Sequence, residues 1–238
     1  MPKAPTAASA RKRIRELGDS NDALFLQRFF KTGPGEYGEG DRFLGIRVPV
    51  VRRLAKELRG LPLDQIETLL HDRWHEVRLL ALVLLGNAYE RASPAERGTI
   101  FDLYLRNTKW INNWDLVDAS AARVIGAHLA NRPRKLLDRL ARSPALWERR
   151  IAIIATQHFI RNGEFDDTIR LAEVLLQDSH DLIHKAVGWM LREVGNRDRA
   201  TLEAFLDTHA RQMPRTMLRY AIEKLPPADR RRFMKKAD

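Results

Sequence analysis

The residues best suited to chemistry form a ladder of charged side chains at a nearly regular spacing. Its positions are Arg78, Asp118, Arg150, Lys185 and Arg219, which are 40, 32, 35 and 34 residues apart. The four cations suit the phosphates of a nucleic acid, because each phosphate contact releases counterions and adds affinity without reading base sequence. The carboxylate is the exception, since it repels phosphate, and a functional role at this position would explain it.

Two tryptophans accompany the ladder at helical spacing. Trp114 precedes Asp118 by four residues and Trp189 follows Lys185 by four, so each indole shares a helix face with its ladder residue. Indole rings attract cations and stack on bases or sugars. We therefore predict a site with one carboxylate and two indoles. The structural alternatives are core packing for both tryptophans and, for Asp118, a helix N-cap or an ion pair with Arg150.

Helices must position these side chains, because apolar residues recur every three or four positions and alternating strand patterns are nearly absent. The period is clearest within residues 66–85, 152–160 and 171–190, and we expect roughly a dozen helices of about 8–20 residues. A step near 35–40 residues with two helices per step is typical of HEAT-like repeats. The sequence therefore predicts an all-α, HEAT-like helical-repeat solenoid with a concave basic groove, as a single domain over residues 1–238.

The composition indicates a polyanionic partner and excludes several classes of protein. Lys and Arg total 42 against 31 Asp and Glu, a net charge of +11, and 32 of the 42 cations are Arg, which binds phosphate through two parallel hydrogen bonds. The absence of cysteine excludes disulfides, thiolate catalysis and Cys-ligated metal centres. No apolar run reaches the roughly 18 residues of a membrane span. We expect a cytoplasmic protein without membrane contact, with residues 1–18 as a candidate flexible basic arm.

Four segments carry a family resemblance. They are 43–49 (FLGIRVP), 113–118 (NWDLVD), 147–150 (WERR) and 185–193 (KAVGWMLRE). Over about residues 20–230 the chain resembles the AlkD-like bacterial DNA glycosylases of the DNA alkylation repair family. The resemblance implies a curved stack of HEAT-like helix pairs that cradles double-stranded DNA, and the removal of N3- and N7-alkylated purines.

The resemblance also assigns roles to individual residues. It implies that Asp118 is the catalytic carboxylate, that Trp114 and Trp189 are the active-site indoles, and that Arg150 binds phosphate. The segment before the first indole, 109–113 (KWINN), is longer than the family pattern, so Trp110 is the alternative to Trp114.

Further contacts with DNA follow from the ladder and the same motifs. Arg78, Lys185 and Arg219 are predicted to bind phosphates, and Arg192 is a further candidate. No cofactor and no metal are expected, and no lysine is placed to form a Schiff base. The predicted activity is that of a monofunctional glycosylase, acting as a monomer without an obligate protein partner.

The chemistry agrees with a lone carboxylate. An N3- or N7-alkylated purine is cationic and leaves without a general acid, whereas the sugar develops oxocarbenium character as the bond breaks. A fixed carboxylate stabilises that charge and positions water, as in glycosidases. The alternative function is a non-catalytic HEAT-like module that binds nucleic acid or an acidic protein, because a repeat fold can keep its groove and lose its chemistry.

Other patterns do not indicate a site. His71 and His75, like His180 and His184, have the i, i+4 spacing of zinc ligands, but no third ligand accompanies either pair, and we expect surface histidines. The glycine-rich segment 33–41 has no P-loop lysine and is expected to be a flexible connector that looks like an insertion into the family pattern.

Overall fold

The computed structural model describes residues 5–235, and the elements it contains over them are helices joined by turns and loops. Helix accounts for 68% of the chain, and the described residues contain no strand. An isolated bridge joins Arg42 to Trp74. The prediction of an all-α fold is confirmed. In the part of the chain that the structure describes, no helix is long and apolar enough to cross a membrane.

The chain divides into two compact units, Met1–Val124 and Ile125–Asp238. A 3₁₀ turn, Thr108–Trp110, lies in the first unit, and a π-helical turn, Ala122–Gly126, contains the boundary. The expectation of one repeat domain over the whole chain stays a prediction. The helices of the first unit are α1 (Ala7–Arg15), α2 (Ser20–Phe29), α3 (Val48–Glu57), α4 (Leu63–Leu70), α5 (His75–Arg91), α6 (Pro94–Arg106) and α7 (Trp114–Ala121).

Helix α5 is the centre of the first unit. Every residue from His75 to Gly86 is buried, because α3, α4 and α7 all pack against this helix. Helix α6 follows after a capping box, in which the Ser93 hydroxyl accepts from the Glu96 backbone and the Glu96 carboxylate accepts from the Ser93 backbone. These signals explain why a nearly continuous apolar run forms one buried helix and then stops.

The N-terminal basic stretch is not a flexible arm over its described helical part. Ala7, Ala10 and Ile14 of α1 are buried, and α1 packs against α4 and α5. Lys12, Arg13 and Arg15 of α1 are exposed, whereas Arg11 pairs with the buried Asp72. The apolar residues at three- and four-residue spacing fix α1 against its neighbours. The expectation of a flexible basic arm is therefore wrong for residues 7–15.

The second unit is organised around one long helix. Its helices are α8 (Ala127–Leu129), α9 (Lys135–Ala141), α10 (Leu146–Ala155), α11 (Gln157–Arg161), α12 (Asp166–Val174), α13 (Asp181–Gly195), α14 (Arg199–His209), α15 (Arg215–Ala221) and α16 (Pro227–Met234). Helix α13 packs against α10, α12, α14 and α15. Gly188 allows the close approach of α15, because a Cβ at this position would lie 2.4 Å from the Met217 carbonyl oxygen.

The described helices outnumber the expected dozen because some apolar segments are interrupted. Residues 152–160 span α10 and α11, which meet at Thr156, whose hydroxyl donates to the Ile153 carbonyl at 2.7 Å. Such side-chain bonding to the backbone competes with the helix ladder. Periodicity alone predicts one helix here.

Each ladder residue lies on a different helix, and those helices pack in series within their units. Arg78 and Asp118 lie on α5 and α7, which contact each other, while Arg150, Lys185 and Arg219 lie on α10, α13 and α15, with α13 packed against both neighbours. The predicted register therefore falls on helices that contact each other within each unit. Whether these form a HEAT-like solenoid stays a prediction.

Candidate functional site

Helix α7 brings two of the predicted site residues together. Trp114 is its first residue and Asp118 lies one turn later, and both are half-buried. Asn113 is the N-cap, with its side-chain oxygen 2.8 Å from the Trp114 amide nitrogen. Asp118 therefore lies within the helix, and the alternative that it is an N-cap is wrong.

The surroundings of Asp118 include a buried hydroxyl pair. The Tyr104 hydroxyl lies 3.0 Å from the Ser120 hydroxyl, and Ser120 donates to the Leu116 carbonyl at 2.6 Å. Burial raises the pKa of Tyr104, and the negative charge of Asp118 raises it further, against the opposing effect of Ser120. Tyr104 thus remains a neutral group beside the carboxylate at physiological pH.

An aromatic cluster supports Trp114. Its ring stacks on Phe30 with 5.0 Å between centroids and an interplanar angle of 19°, and Phe30 stacks in turn on Phe43 at 4.9 Å. The edge of Phe29 lies against the same indole at 6.0 Å. Such contacts contribute about 0.5–1.5 kcal/mol each beyond the burial of area. The orientation of the Trp114 ring is therefore set by α2 and by the segment that follows it.

A buried charge network fixes the first turn of α7. His75, which is 1% exposed, donates from Nδ1 to Asp41 at 2.9 Å and from Nε2 to Asp115 at 2.8 Å. Arg78 also binds Asp41, and Asn113 donates to the same carboxylate at 3.3 Å. Helix α5, the end of segment 33–41 and the start of α7 are thus joined through one imidazole. We call these five residues the His75 network.

The network keeps its central imidazole charged. Burial alone would lower the pKa of His75, but Asp115 and Asp41 outweigh it and raise the pKa from 6.5 to about 9. Burial likewise favours protonation of Asp41, but hydrogen bonding to His75 and the charges of His75 and Arg78 lower the pKa of Asp41 from 3.8 to about 2. At neutral pH the imidazolium of His75 therefore faces the charged carboxylate of Asp41.

Three expectations about this region are wrong. His75 is not a surface histidine, because the partners that pair with it lie 34 and 40 residues away and close over it. Arg78 is 3% exposed, and its guanidinium binds Asp41 and the Asp72 carbonyl, so it faces no solvent from which a phosphate could reach it. The glycine-rich segment 33–41 is no simple connector either, since it ends in the buried Asp41.

A cationic cleft that the sequence analysis did not predict adjoins α7 in the first unit. Its volume is about 620 Å³, and its lining includes exposed cations from α3, from the turn after it and from the end of α5, namely Arg52, Lys56, Arg59 and Arg91. None of these four forms an ion pair with another described residue. Ala119 and Arg123 line it from the side of α7, and Glu90 is balanced by Arg123 at 2.7 Å. The i, i+4, i+7 spacing of 52, 56 and 59 is the signal that could have revealed it.

Trp110 lies apart from α7. It ends the 3₁₀ turn Thr108–Trp110, where its ring is 5.1 Å from that of His71 and Lys109 lies over it at 5.6 Å. The structure thus places Trp114, rather than Trp110, on the helix of Asp118.

In the second unit, α13 carries three of the predicted residues. Trp189 is half-buried and its Nε1 donates to Glu193 at 3.2 Å. Lys185, one turn earlier, pairs with Asp181 at 2.9 Å and keeps 40% of its side chain exposed. Arg192 pairs with Glu223. The i, i+4 spacing places Lys185 and Trp189 on one face, as predicted from the sequence.

The remaining two cations differ in exposure. Arg150 is 4% exposed, and its Nη1 donates to the Leu182 carbonyl. This burial argues against the expected phosphate contact, which needs a guanidinium that DNA can reach. Arg219 is exposed on α15 and lines a shallow cavity of about 440 Å³ with Arg230 and Arg231. Among the described residues, no group of three or more His, Asp and Glu side chains could hold a metal ion.

Comparison with known proteins places the chain in a family. The family model for the DNA alkylation repair enzyme matches residues 10–225. The chain belongs to the DNA alkylation repair enzyme family. The predicted resemblance is thereby confirmed, and membership of this family implies an enzyme of DNA alkylation repair with DNA as its substrate.

A solved structure supports the fold of this family member. A predicted DNA alkylation repair enzyme from Enterococcus faecalis superposes with a TM-score of 0.69 at 19% identity, over 88% of this chain and 97% of that one. At this identity the likeness shows the fold alone. A comparison with curated proteins gives no match.

Proposed function

We propose that this chain is a monofunctional DNA glycosylase that hydrolyses the N-glycosidic bond of cationic N3- and N7-alkylated purines in double-stranded DNA. The observation that supports the proposal most directly is that Asp118 and Trp114 lie one turn apart on α7. The first turn of this helix is bonded to the His75 network through Asp115. Preorganised charge of this kind is what catalysis of a charge-developing step requires.

The proposed reaction begins with departure of the base. The C1′–N bond breaks, its electron pair goes to the purine, and the purine leaves as a neutral molecule because it was cationic before. Positive charge develops on the sugar, where the carboxylate of Asp118 stabilises it. A water molecule oriented by Asp118 forms the new C1′–O bond, its proton passes to solvent, and an abasic site results.

The aromatic residues are assigned to holding the substrate. Trp114, supported from behind by Phe30, offers an indole of fixed orientation to a cationic base or a sugar. The family resemblance assigns the same role to Trp189 of the second unit. No lysine lies at a position that the motifs assign to catalysis, so we propose hydrolysis without strand cleavage.

The cationic cleft is proposed to bind the DNA backbone beside the lesion. Four cations without an ion-pair partner line a cleft beside α7, the helix that carries Asp118, and they provide the proposed phosphate contacts. Lys185 and Arg219 remain proposed phosphate contacts, because both retain exposed side chains, and Arg192 remains a further candidate. Arg78 is left out of this set and acts inside the His75 network.

The proposal is tested by incubating the protein with duplex DNA treated with a methylating agent. We expect free 7-methylguanine and 3-methyladenine in the supernatant, and abasic sites that become strand breaks only after heating in alkali. Release of unmodified bases alone, or strand breaks without alkali, would contradict the proposal.

The rival function is a non-catalytic module that binds nucleic acid or an acidic protein surface. It predicts DNA binding that weakens with salt, together with no release of base. A monomeric state and a cytoplasmic location stay predictions, and sedimentation of the protein with and without a short duplex checks the first of them.

A further inference from the structure

Helix α2 exposes an apolar face that the rest of the chain does not cover. None of its residues is buried, and Leu24, Phe25 and Phe29 are 62%, 47% and 53% exposed. The only other large apolar side chains exposed to this degree among residues 5–235 are Leu17 and Val48. We call Leu24, Phe25 and Phe29 the α2 ridge. An exposed apolar patch of this kind commonly marks an interaction surface.

The ridge is held rigidly at both ends. At its start, Gly45 has a positive φ of 83° and lies so close to α2 that a Cβ would be 2.0 Å from the Asp19 carbonyl oxygen. The Asp19 amide donates to the Leu44 carbonyl at 2.9 Å. At its end, Phe30 is buried between Phe43 and Trp114. The exposed rings between these anchors are thus preorganised.

The two phenylalanines form one continuous aromatic surface. Phe25 and Phe29 stack with 6.0 Å between centroids and an angle of 15°, and the edge of Phe29 reaches Trp114 at 6.0 Å. The ridge therefore continues the aromatic surface of the proposed active site out to solvent. Arg47 lies over Phe25 at 5.4 Å while paired with Asp22, so a planar cation borders the rings.

We propose that the α2 ridge is a base-stacking surface, on which a nucleobase unpaired at the lesion stacks against Phe25 and Phe29. The inference rests on the proposed function, because it needs DNA at Trp114. Aromatic rings flanked by cations are the usual platform for unpaired bases, since every base has a π-face and every nucleotide has a phosphate. Arg47 supplies an exposed cation over Phe25, and Arg28, the chain neighbour of Phe29, is also exposed, on a chain of net charge +11.

Two other occupants fit the ridge less well. Three side chains of this exposure present on the order of 300 Å², whereas a stable protein interface buries about 800 Å² per partner. A helix that lies on an anionic membrane carries Lys and Arg along its polar face. Helix α2 instead carries Asp22 and Arg28, with no lysine.

The test compares binding to two duplexes, one fully paired and one with a single unpaired base, for the wild-type protein, F25A/F29A and F25L/F29L. We expect the wild type to prefer the unpaired base and the alanine variant to lose about 5- to 150-fold of that preference, the range that about 1–3 kcal/mol of stacking gives. The leucine variant keeps the apolar area without the rings and should lose nearly as much. Leu17→Ala, an exposed apolar residue outside α2, should bind both duplexes like the wild type.

Photocrosslinking supplies a second readout. With 5-iodouracil as the unpaired base, we expect adducts at Phe25 or Phe29. Full preference in F25A/F29A, or adducts only elsewhere, would overturn the stacking role, while base release by the wild type would leave the proposed function standing. Retained preference in F25L/F29L would show a merely apolar contact, and loss of self-association in F25A/F29A with unchanged DNA binding would show a contact between copies. Absence of any DNA binding by the wild type would refute both proposals.

Discussion

Replacing His75 by glutamine should remove most of the pH dependence of the free energy of unfolding between pH 6.5 and pH 9. In the wild type the pKa of His75 is 6.5 when unfolded and about 9 when folded, because Asp115 and Asp41 face it within a buried site. A group whose pKa rises on folding contributes stability that is complete below its unfolded pKa and is lost as the pH rises through its folded pKa. At about 1.36 kcal/mol per unit of pKa, the rise in the pKa of His75 on folding corresponds to about 3 kcal/mol of free energy of unfolding.

His75 and Asp41 affect stability over different ranges of pH. Asp41 has a lowered pKa of about 2, so its contribution is lost only as the pH falls below 3.8. Between pH 6.5 and pH 9 the free energy of unfolding of the wild type should therefore fall by about 3 kcal/mol through the titration of His75 alone.

The assay is urea unfolding followed by circular dichroism at half-unit steps from pH 6 to pH 10. His75→Gln removes the cation that binds Asp115 and one of the two cations that bind the buried Asp41, and it should destabilise the first unit by about 3–5 kcal/mol at pH 6.5, with little further change up to pH 9. The control His71→Gln, at an exposed histidine of the same unit, should keep the wild-type slope. Parallel profiles for the wild type and His75→Gln would refute the reasoning.

Two further predictions follow from the same unit. Replacing the three cleft cations at 52, 56 and 59 by glutamine should reduce the slope of log Kd against log salt by up to about 3, at roughly 0.9 for each phosphate contact. Titration of a lesion-free duplex at several salt concentrations measures this slope, with Lys12→Gln as the control. An unchanged slope would show that the cleft does not bind DNA. Gly45→Ala should destabilise the first unit by more than the 1–3 kcal/mol of backbone strain, because its Cβ would overlap the start of α2. Gly60→Ala, at a similar φ of 88° in open space, incurs the strain alone, so equal thermal shifts for the two variants would contradict this account.

Local patterns predicted the helices well. The apolar positions of residues 66–85 became α4 and α5, and the four-residue spacing of Trp114 and Asp118 placed both on α7. Helical periodicity depends on neighbours within one turn or two, and those neighbours are visible in the sequence. The same reasoning placed Lys185 and Trp189 correctly on one helix.

Burial of charged residues was not predictable in the same way. Arg78 and Arg150 share the ladder spacing with exposed Arg219, yet both are buried, because a spacing gives the helix face and not what packs on it. The partner of Arg78 lies 37 residues away in a glycine-rich segment that looks like a connector. His75 was taken for a surface histidine for the same reason, since its role depends on contacts of long sequence separation.

The central claim is that Asp118 stabilises the charge that develops on the sugar. Single-turnover release of 7-methylguanine from methylated duplex DNA tests it most directly, with wild type, Asp118→Asn and the exposed control Asp64→Asn compared at saturating protein and duplex binding measured in parallel. We predict that Asp118→Asn loses about 100- to 1,000-fold in rate while binding intact duplex at least as tightly, and that Asp64→Asn matches the wild type. Base release by Asp118→Asn within a few-fold of the wild-type rate would contradict the account.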